Sequence, residues 1–376
     1  MAYARRMARA EAVLLVPGIF GFGAFGPRGR PLVEYWARVE EALRRACGAS
    51  LRFAVHEPPP AGSLTERVAS LHVKLSEVLE TGLDGRAVGR LHLVGHSTGG
   101  LDARLALSPG YAWPGLPEGD VRRTLLARVG TLVTLSAPFH GTPLAARLAL
   151  GTRLLPALYF ASILATRGRL RLAGQLATLF AGVKRLLLGG VTPTDELIAR
   201  LADVDDHTAR DIRRFLVHVA DDHALVRELA PGAMSALETK LSGGRALGVK
   251  SFVTVSPPPR LGPADALYAL GAPLQRALYD FCWAATASAG APEGARLPAG
   301  PWLGGAQTPI GWRSSDGVVP CWSQTLSGEA AGLVEADHLD VIGHYESAGA
   351  TFLRSGSRFD DARFFALWRA IGESLD

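Results

Sequence analysis

The chain has 376 residues, of which 48% are apolar and 20% are charged, and its net charge is +5. These proportions exclude a disordered chain and fit a folded protein with a large core. The small basic excess does not indicate nucleic-acid binding, so no nucleic-acid partner is predicted. Three scattered cysteines, Cys47, Cys282 and Cys321, exclude a disulfide framework. We expect reduced thiols, while a single bridge between Cys282 and Cys321 stays open.

The first 143 residues alternate between strand and helix patterns. Apolar runs predict four strands, at 12–16, 51–56, 91–94 and 131–135. Helical spacing predicts one helix that starts at Pro31 and another that is opened by the capping box of Ser63 and Glu66. A third helix is predicted at 101–107. This alternation predicts an α/β core with a mostly parallel sheet between helices.

The pattern changes at about residue 144, where leucine-rich helical stretches follow one another as far as 244. We interpret 144–244 as an inserted helical cap, and 1–143 with 245–376 as the α/β core. In the second part of the core we predict strands at 249–255 and 332–334, an irregular stretch up to about 305, and a closing helix at 360–375. The early apolar segment ends in Pro-Gly and lacks a cleavage pattern, so we expect a cytoplasmic protein, with leaderless export left open.

Gly95-His96-Ser97-Thr98-Gly99 matches the pattern G-x-S-x-G, and it lies between a predicted strand and a predicted helix. In that sharp turn a larger side chain at Gly95 or Gly99 would clash. A five-residue match can arise by chance, but its position between strand and helix favours a nucleophile elbow. Ser97 is therefore the candidate nucleophile.

A serine hydroxyl needs a base and an acid that orients the base. Asp316, in SSDGVVP, and His338, in EADHLDVIG, follow Ser97 in the order Ser, Asp, His. His140 is the nearest rival base, because its loop also follows a predicted strand. Without its partners, Asp316 would be read as an ordinary turn aspartate before glycine. Two backbone N–H groups would hold the oxyanion, and we expect them to come from Thr98 and Ile19.

Six motifs together resemble the bacterial true lipases of the α/β-hydrolase superfamily: LLVPGIFG, LHLVGHSTGGLDAR, VGTLVTLSAPFHGTPLA, ELAPGAMSAL, SSDGVVP and ADHLD. The resemblance spans most of the chain. It implies an α/β-hydrolase fold with a helical lid over an acyl-binding cleft, with Ser97 as nucleophile, His338 as base and Asp316 as acid. It also implies Ile19 and Thr98 as oxyanion donors.

The chain departs from that family at two points. Pro17 stands where the family usually has a histidine, so the hydrogen bond of that histidine is missing. Many members also hold a structural calcium near the catalytic histidine, and Asp340 matches one ligand position. No second carboxylate matches, so we predict no metal and no cofactor, and Asp340 is kept as the one candidate calcium ligand.

Residues 143–190 contain seven basic residues and no acidic ones. Such helices ordinarily point their arginines to water; as a lid, they would present a basic rim to an anionic lipid surface. We predict a serine carboxylic ester hydrolase, and within that class a lipase acting on lipid or other acyl esters. A thioesterase, a polyhydroxyalkanoate-type polyester depolymerase and an acyltransferase stay open, as do a silent hydrolase-fold binding protein and the oligomeric state.

Overall fold

The protein, seen in a computed structural model, is built around one large sheet. The structure describes residues 11–21, 24–25, 33–108, 124, 126–148, 210, 214, 222–241, 248–259, 273–305, 307–348 and 353–375. The strands of this part of the chain are β1 (Glu11–Val16), β2 (Ala24–Phe25), β3 (Val33–Glu34), β4 (Arg52–Val55), β5 (Arg90–His96), β6 (Val129–Leu135), β7 (Val249–Val255), β8 (Trp302–Leu303) and β9 (Gly332–Glu335).

Seven of these strands form the main sheet in the order β4-β1-β5-β6-β7-β9-β8, and each pairing between neighbours is parallel. The next strand of this sheet along the chain, β4, pairs on one side of β1, and the one after it, β5, pairs on the other side. The carboxyl ends of β1 and β5 therefore border the crevice at which ligands bind in open α/β sheets. β2 and β3 form a separate antiparallel pair.

The helices of the described residues are α1 (Val39–Cys47), α2 (Leu64–Thr81), α3 (Thr98–Leu107), α4 (Pro143–Leu148), α5 (Ala224–Glu228), α6 (Pro231–Leu241), α7 (Pro273–Thr286) and α8 (Asp361–Glu373). α2 begins where the sequence indicates. The Ser63 Oγ accepts the N–H of Glu66, and a Glu66 carboxylate oxygen accepts the N–H of Ser63. Two N–H groups of the first turn are thus satisfied.

Alternate residues of β1 divide the core into two layers, because successive side chains of a strand point to opposite faces. Val13 and Leu15 join a buried apolar cluster that includes residues of α1, α7 and α8. Leu14 and Val16 join a second cluster with residues of α2, α3, α5 and α6. Each such side chain, fully buried, contributes about 1.5–3 kcal/mol. Helices therefore cover both faces, which confirms the predicted parallel α/β core.

Two predicted elements are wrong. The helix expected to start at Pro31 begins at Val39, because residues 33–34 pair with β2 and Arg38 has a left-handed backbone (φ 61) that interrupts a continuous helix. The stretch expected to be irregular up to residue 305 contains α7. The signal that was missed is the helical spacing of Leu278, Cys282 and Ala285, all of which are buried.

The predicted cap, 144–244, falls largely outside the described residues, so its boundaries stay a prediction. Within that range the structure gives bounds for α4, α5 and α6. Within the part of the chain that the structure describes, no helix is long and apolar enough to cross a membrane. Cys282 and Cys321 are buried and form no disulfide with each other.

Candidate active site

The turn at Ser97 joins the end of β5 to the start of α3. Ser97 has a positive φ of 55°, which is strained for any residue other than glycine. A Cβ atom at Gly95 would lie 2.5 Å from the Cα of Gly100, and one at Gly99 would lie 2.1 Å from the carbonyl oxygen of Val16. Only glycines fit at these two positions, and the turn therefore has the geometry of a nucleophile elbow.

Three residues far apart in the sequence meet at this turn. The Ser97 Oγ lies 2.9 Å from Nε2 of His338, and Nδ1 of His338 lies 2.8 Å from Oδ2 of Asp316. All three side chains are buried. The carboxylate accepts the Nδ1 proton, which leaves Nε2 free to take the proton of the serine hydroxyl. The arrangement can therefore generate a serine nucleophile.

Asp316 is fully buried, and hydrogen bonds compensate for the burial of its charge. Its Oδ1 accepts the N–H groups of Val318 (2.9 Å) and Val319 (2.7 Å). Its Oδ2 accepts the hydroxyl of Thr254 (2.8 Å) as well as the imidazole. The Ser136 Oγ lies 2.6 Å from the Thr254 Oγ1, so Ser136 donates to the hydroxyl that donates to Asp316.

The loop that carries the imidazole is held by two more buried carboxylates. Asp337 accepts two backbone N–H groups of its own loop and the hydroxyl of Ser355 (3.0 Å). Asp340 accepts the N–H of Asp337 (2.8 Å) and the hydroxyl of Ser357 (2.8 Å). Burial raises the pKa of Asp337 to about 7, against the opposing effect of these hydrogen bonds. The loop and residues 353–357 are therefore fixed to each other.

These contacts give Asp340 a structural role without a metal. Among the described residues no group of three His, Cys, Asp or Glu side chains could hold an ion. Calcium needs six to eight oxygen ligands, and one oxygen of the candidate carboxylate is already bonded twice within the protein. The described residues do not fit the calcium site, and that suggestion stays a prediction without structural support.

The two expected oxyanion donors flank the serine. Within the described residues, the backbone N–H groups of Ile19 and Thr98 donate to no protein acceptor. Thr98 is the first residue of α3, where N–H groups point out of the helix and the dipole favours negative charge. Gly18 lies so close to the nucleophile that a Cβ atom there would be 2.6 Å from the Ser97 Cβ.

A buried arginine holds the peptide between Gly18 and Ile19. Nη2 of Arg67 donates to the carbonyl oxygens of Pro17 (3.1 Å) and Gly18 (3.3 Å). Because the peptide is planar and trans, fixing the Gly18 carbonyl also fixes the opposite direction of the Ile19 N–H. Arg67 in turn forms a fully buried ion pair with Asp102 of α3 at 2.6 Å. Burial raises the pKa of Asp102, while Arg67 lowers it.

Sequence reasoning did not identify Arg67 or Thr254. A signal for Arg67 was present, since it lies among the apolar positions of α2, between Leu64 and Leu71, where an unpaired charge would be costly. For Thr254 the signal was weaker: a hydroxyl near the carboxyl end of the predicted strand 249–255.

His140, the rival candidate base, makes no contact with Ser97, Asp316 or His338 among the hydrogen bonds of the described residues. The His140 backbone N–H donates to the Ser323 Oγ at 3.0 Å, and burial lowers the pKa of its imidazole. His96, next to the nucleophile, contacts Tyr35 through Nδ1 (2.7 Å) and the carbonyl oxygen of His338 through Nε2 (2.8 Å). Neither imidazole reaches the serine hydroxyl.

A cavity of about 120 Å³ opens beside Ser97. Of the described residues that line it, four are polar, and they are Tyr35, His96, Ser97 and His338. The remaining lining residues are apolar or carry a thiol, and they are Ile19, Phe20, Leu144, Leu278, Cys282, Val318, Leu339 and Leu353. Burial raises the pKa of the Cys282 thiol to about 12, so that side chain lines the cavity as a neutral group. The cavity suits an apolar group next to the Ser97 hydroxyl.

Comparison with solved structures finds several of the same overall fold. Lipase 1 of Pelosinus fermentans is 17% identical, with a TM-score of 0.51 and 98% of each chain covered. The lipase of Staphylococcus hyicus is 15% identical, with a TM-score of 0.51, and the match covers 98% of this chain and 96% of that one. EstA of Clostridium botulinum is 16% identical, with a TM-score of 0.51 and coverage of 98% and 87%.

No family model and no curated protein matches the sequence. At these identities the likeness concerns the fold, which is set by the order and packing of the strands and helices. The protein therefore has a lipase-like α/β fold with a mostly parallel sheet.

Proposed function

We propose that this protein is a serine hydrolase of carboxylic esters, and within that class a lipase. The observation that carries the proposal is the continuous hydrogen-bonded series from Ser97 through His338 to Asp316, which borders an apolar cavity. A nucleophile, a base and an apolar wall are what the transfer of an acyl group from an ester requires.

In the first half of the reaction, the Ser97 Oγ attacks the ester carbonyl carbon while Nε2 of His338 takes the hydroxyl proton. The carbonyl oxygen becomes an oxyanion, which the N–H groups of Ile19 and Thr98 stabilise. When the tetrahedral intermediate collapses, the imidazolium gives its proton to the leaving alcohol, and an acyl-enzyme remains on Ser97.

In the second half, water takes the place of the alcohol. The imidazole removes a proton from the water, the hydroxide attacks the acyl carbon, and the oxyanion forms again between the same two N–H groups. Collapse releases the carboxylic acid and restores the serine hydroxyl. Asp316 accepts the Nδ1 proton throughout, which keeps the imidazole in the productive tautomer and stabilises its cation.

The cavity supports an acyl rather than a charged substrate. Among the described lining residues, eight side chains are apolar or carry a neutral thiol, so a carboxylate or ammonium placed against them would lose its hydration without gaining a partner. A hydrocarbon chain gains from the same surroundings. Contact of residues 144–244 with anionic lipid surfaces is part of this proposal.

The test is a panel of p-nitrophenyl esters from acetate to palmitate, run with the wild type, Ser97→Ala and the control Ser235→Ala. Ser235 is exposed on α6, so its variant should retain full activity. We expect hydrolysis by the wild type and a loss of at least about a thousandfold in Ser97→Ala, since removal of a triad member leaves only residual catalysis.

Three outcomes separate the alternatives. Undiminished activity in Ser97→Ala overturns the serine mechanism. A preference for acetate over octanoate removes the lipase assignment and leaves an esterase. A silent binding protein would give no stoichiometric adduct with a fluorophosphonate probe, whereas we expect one adduct per chain, on Ser97.

A further inference from the structure

A series of three hydrogen bonds runs beneath the nucleophile without including it. The N–H of Gly18 donates to the Tyr35 Oη at 2.8 Å, the Tyr35 Oη lies 2.7 Å from Nδ1 of His96, and Nε2 of His96 lies 2.8 Å from the carbonyl oxygen of His338. Tyr35 and His96 are both buried. The series joins the backbone of the oxyanion loop (residues 17–21) to the backbone of the histidine.

The direction of every bond in the series is fixed by its two ends. An amide N–H can only donate, so the Tyr35 oxygen accepts from Gly18; in a neutral His96 whose Nε2 carries the proton, Nδ1 accepts the proton of the Tyr35 hydroxyl. A carbonyl oxygen can only accept, so Nε2 of His96 carries the imidazole proton. The tautomer of His96 follows from these contacts alone.

The surroundings of His96 also favour its neutral form. It is fully buried, and its burial, together with the neighbouring His338, lowers its pKa well below the usual range. The two imidazole rings lie 4.7 Å apart between centroids. A charged His96 would therefore oppose the positive charge that His338 gains during proton transfer.

There is no space for a side chain at Gly18, where this series begins. A Cβ atom there would lie 2.6 Å from the Ser97 Cβ and 2.9 Å from the Tyr35 Oη. Glycine thus lets the loop approach both the nucleophile and the tyrosine. The next N–H along the chain is that of Ile19, so a displacement of Gly18 moves the oxyanion donor.

We propose that Tyr35 and His96 are positioning residues that keep the Ile19 N–H in register with the imidazole of His338 across Ser97. This inference rests on the proposed ester hydrolysis. In that reaction, proton transfer at His338 and charge development at the oxyanion occur together, so their geometry must be kept to within a fraction of an ångström.

Tyr35→Phe removes one oxygen and leaves the Gly18 N–H and Nδ1 of His96 without partners. We expect kcat to fall by about tenfold to a hundredfold with KM changed by less than about twofold, because the lost alignment matters only in the transition state. The affinity for a trifluoromethyl ketone, which mimics the tetrahedral intermediate, should fall by the same factor.

Tyr345→Phe is the matched control. Tyr345 is also buried, and its hydroxyl bonds to Arg38 and Asp361 instead of the site. This variant should lose two hydrogen bonds while kcat stays within about twofold of the wild type. An equal fall of kcat in both tyrosine variants would mean general damage to packing and would overturn the proposal.

His96→Phe and the double variant test whether the two residues act as one unit. If they do, Tyr35→Phe/His96→Phe should lose no more activity than the more damaged single variant. If the loss of activity in the double variant equals the product of the two single losses, the residues have independent roles and the proposal is overturned. Thermal unfolding of each variant identifies any that fails to fold, and Tyr35→Phe then carries the test.

A second readout does not depend on activity. In ¹⁵N NMR of the wild type, His96 should remain a neutral imidazole protonated at Nε2 from pH 5 to pH 8; protonation at Nδ1 or a cation would overturn the proposal. Hydrolysis by the wild type with unchanged kcat in Tyr35→Phe overturns this inference alone. No hydrolysis by the wild type overturns the proposed function and removes the reaction that the pair would position.

Discussion

Ser97 is held by backbone crowding, whereas Asp316 and His338 are held by side-chain hydrogen bonds. On the nucleophile side, the restraints are a positive φ and two glycines against which any Cβ would collide. On the acid and histidine side, the contacts of the Asp316, Asp337 and Asp340 carboxylates are hydrogen bonds. There, buried carboxylates collect donors from backbone and hydroxyl groups.

This difference predicts different responses to substitution. A glycine crowded by backbone tolerates no added side chain, because a clash with backbone cannot be relieved by rotating a side chain. Hydrogen-bonded networks lose one partner at a time, so their loss is graded and depends on protonation. The four variants below test this contrast, from the largest expected effect to the smallest.

Gly99→Ala should be the most damaging change. Its Cβ would lie 2.1 Å from the carbonyl oxygen of Val16, so β1 and α3 must separate. We expect the free energy of unfolding to fall by more than about 3 kcal/mol, measured by urea unfolding. Gly232→Ala in α6 is the control: a Cβ there meets nothing within 4 Å, and alanine should stabilise the helix by about 0.5–1 kcal/mol. Equal stability of the two variants would contradict the steric account.

Asp316→Asn keeps the shape of the side chain but removes its charge. The amide can favour the wrong imidazole tautomer, so we expect kcat to fall by about 10⁴-fold while the chain still folds. Steady-state kinetics with the preferred p-nitrophenyl ester measures this. Asp361→Asn, at a half-exposed carboxylate that pairs with Arg38, should leave kcat within about twofold. A loss below tenfold in Asp316→Asn would remove Asp316 from the triad.

Thr254→Val removes a hydroxyl but preserves the shape of the side chain. The Asp316 carboxylate loses one of its donors, and the Ser136 hydroxyl loses its acceptor. We expect kcat to fall by about threefold to tenfold and the free energy of unfolding by about 1–3 kcal/mol. The comparison is Thr239→Val on the exposed face of α6, which should change stability by less than about 0.5 kcal/mol. Equal changes in kcat and in the free energy of unfolding in Thr254→Val and Thr239→Val would show that the Thr254 hydroxyl does not support Asp316.

Asp337 gives the last of the four effects, and it is a dependence of stability on pH. Burial raises its folded-state pKa from 3.8 to about 7, so the folded protein binds more protons than the unfolded chain between these values. The stability that this proton contributes is complete below about pH 4 and is lost as the pH rises through 7. Tm should therefore fall across this range more steeply in the wild type than in Asp337→Asn. Parallel profiles of Tm against pH in the two proteins would exclude Asp337 as the source of the fall in Tm.

Local patterns were sufficient for several features of the fold. The run that became β1, the capping box of Ser63 and the glycines around Ser97 each depend on neighbours within a few residues, and the sequence displays such neighbours directly. The structure brings Ser97, Asp316 and His338 together, as their order along the chain had suggested. Their roles in catalysis stay part of the proposed function.

The supporting residues could not be predicted in this way. Thr254 meets Asp316 across 62 positions, and Tyr35 meets His96 across 61, so their roles depend on which strands become neighbours. The start of α1 was misplaced for a similar reason, since its upstream residues pair with β2 instead of extending the helix. Tertiary contacts overrode the local preference in each case.

The contact between Ser97 and His338 spans 241 positions of the chain. A pairing so distant in sequence forms only after the intervening strands have found their order, and such topologies fold slowly because loop closure must precede the contact. Hydrolysis during refolding would therefore report a late step of assembly, and a chain that has regained its helices would still be silent until β5, β6, β7 and β9 have paired in order.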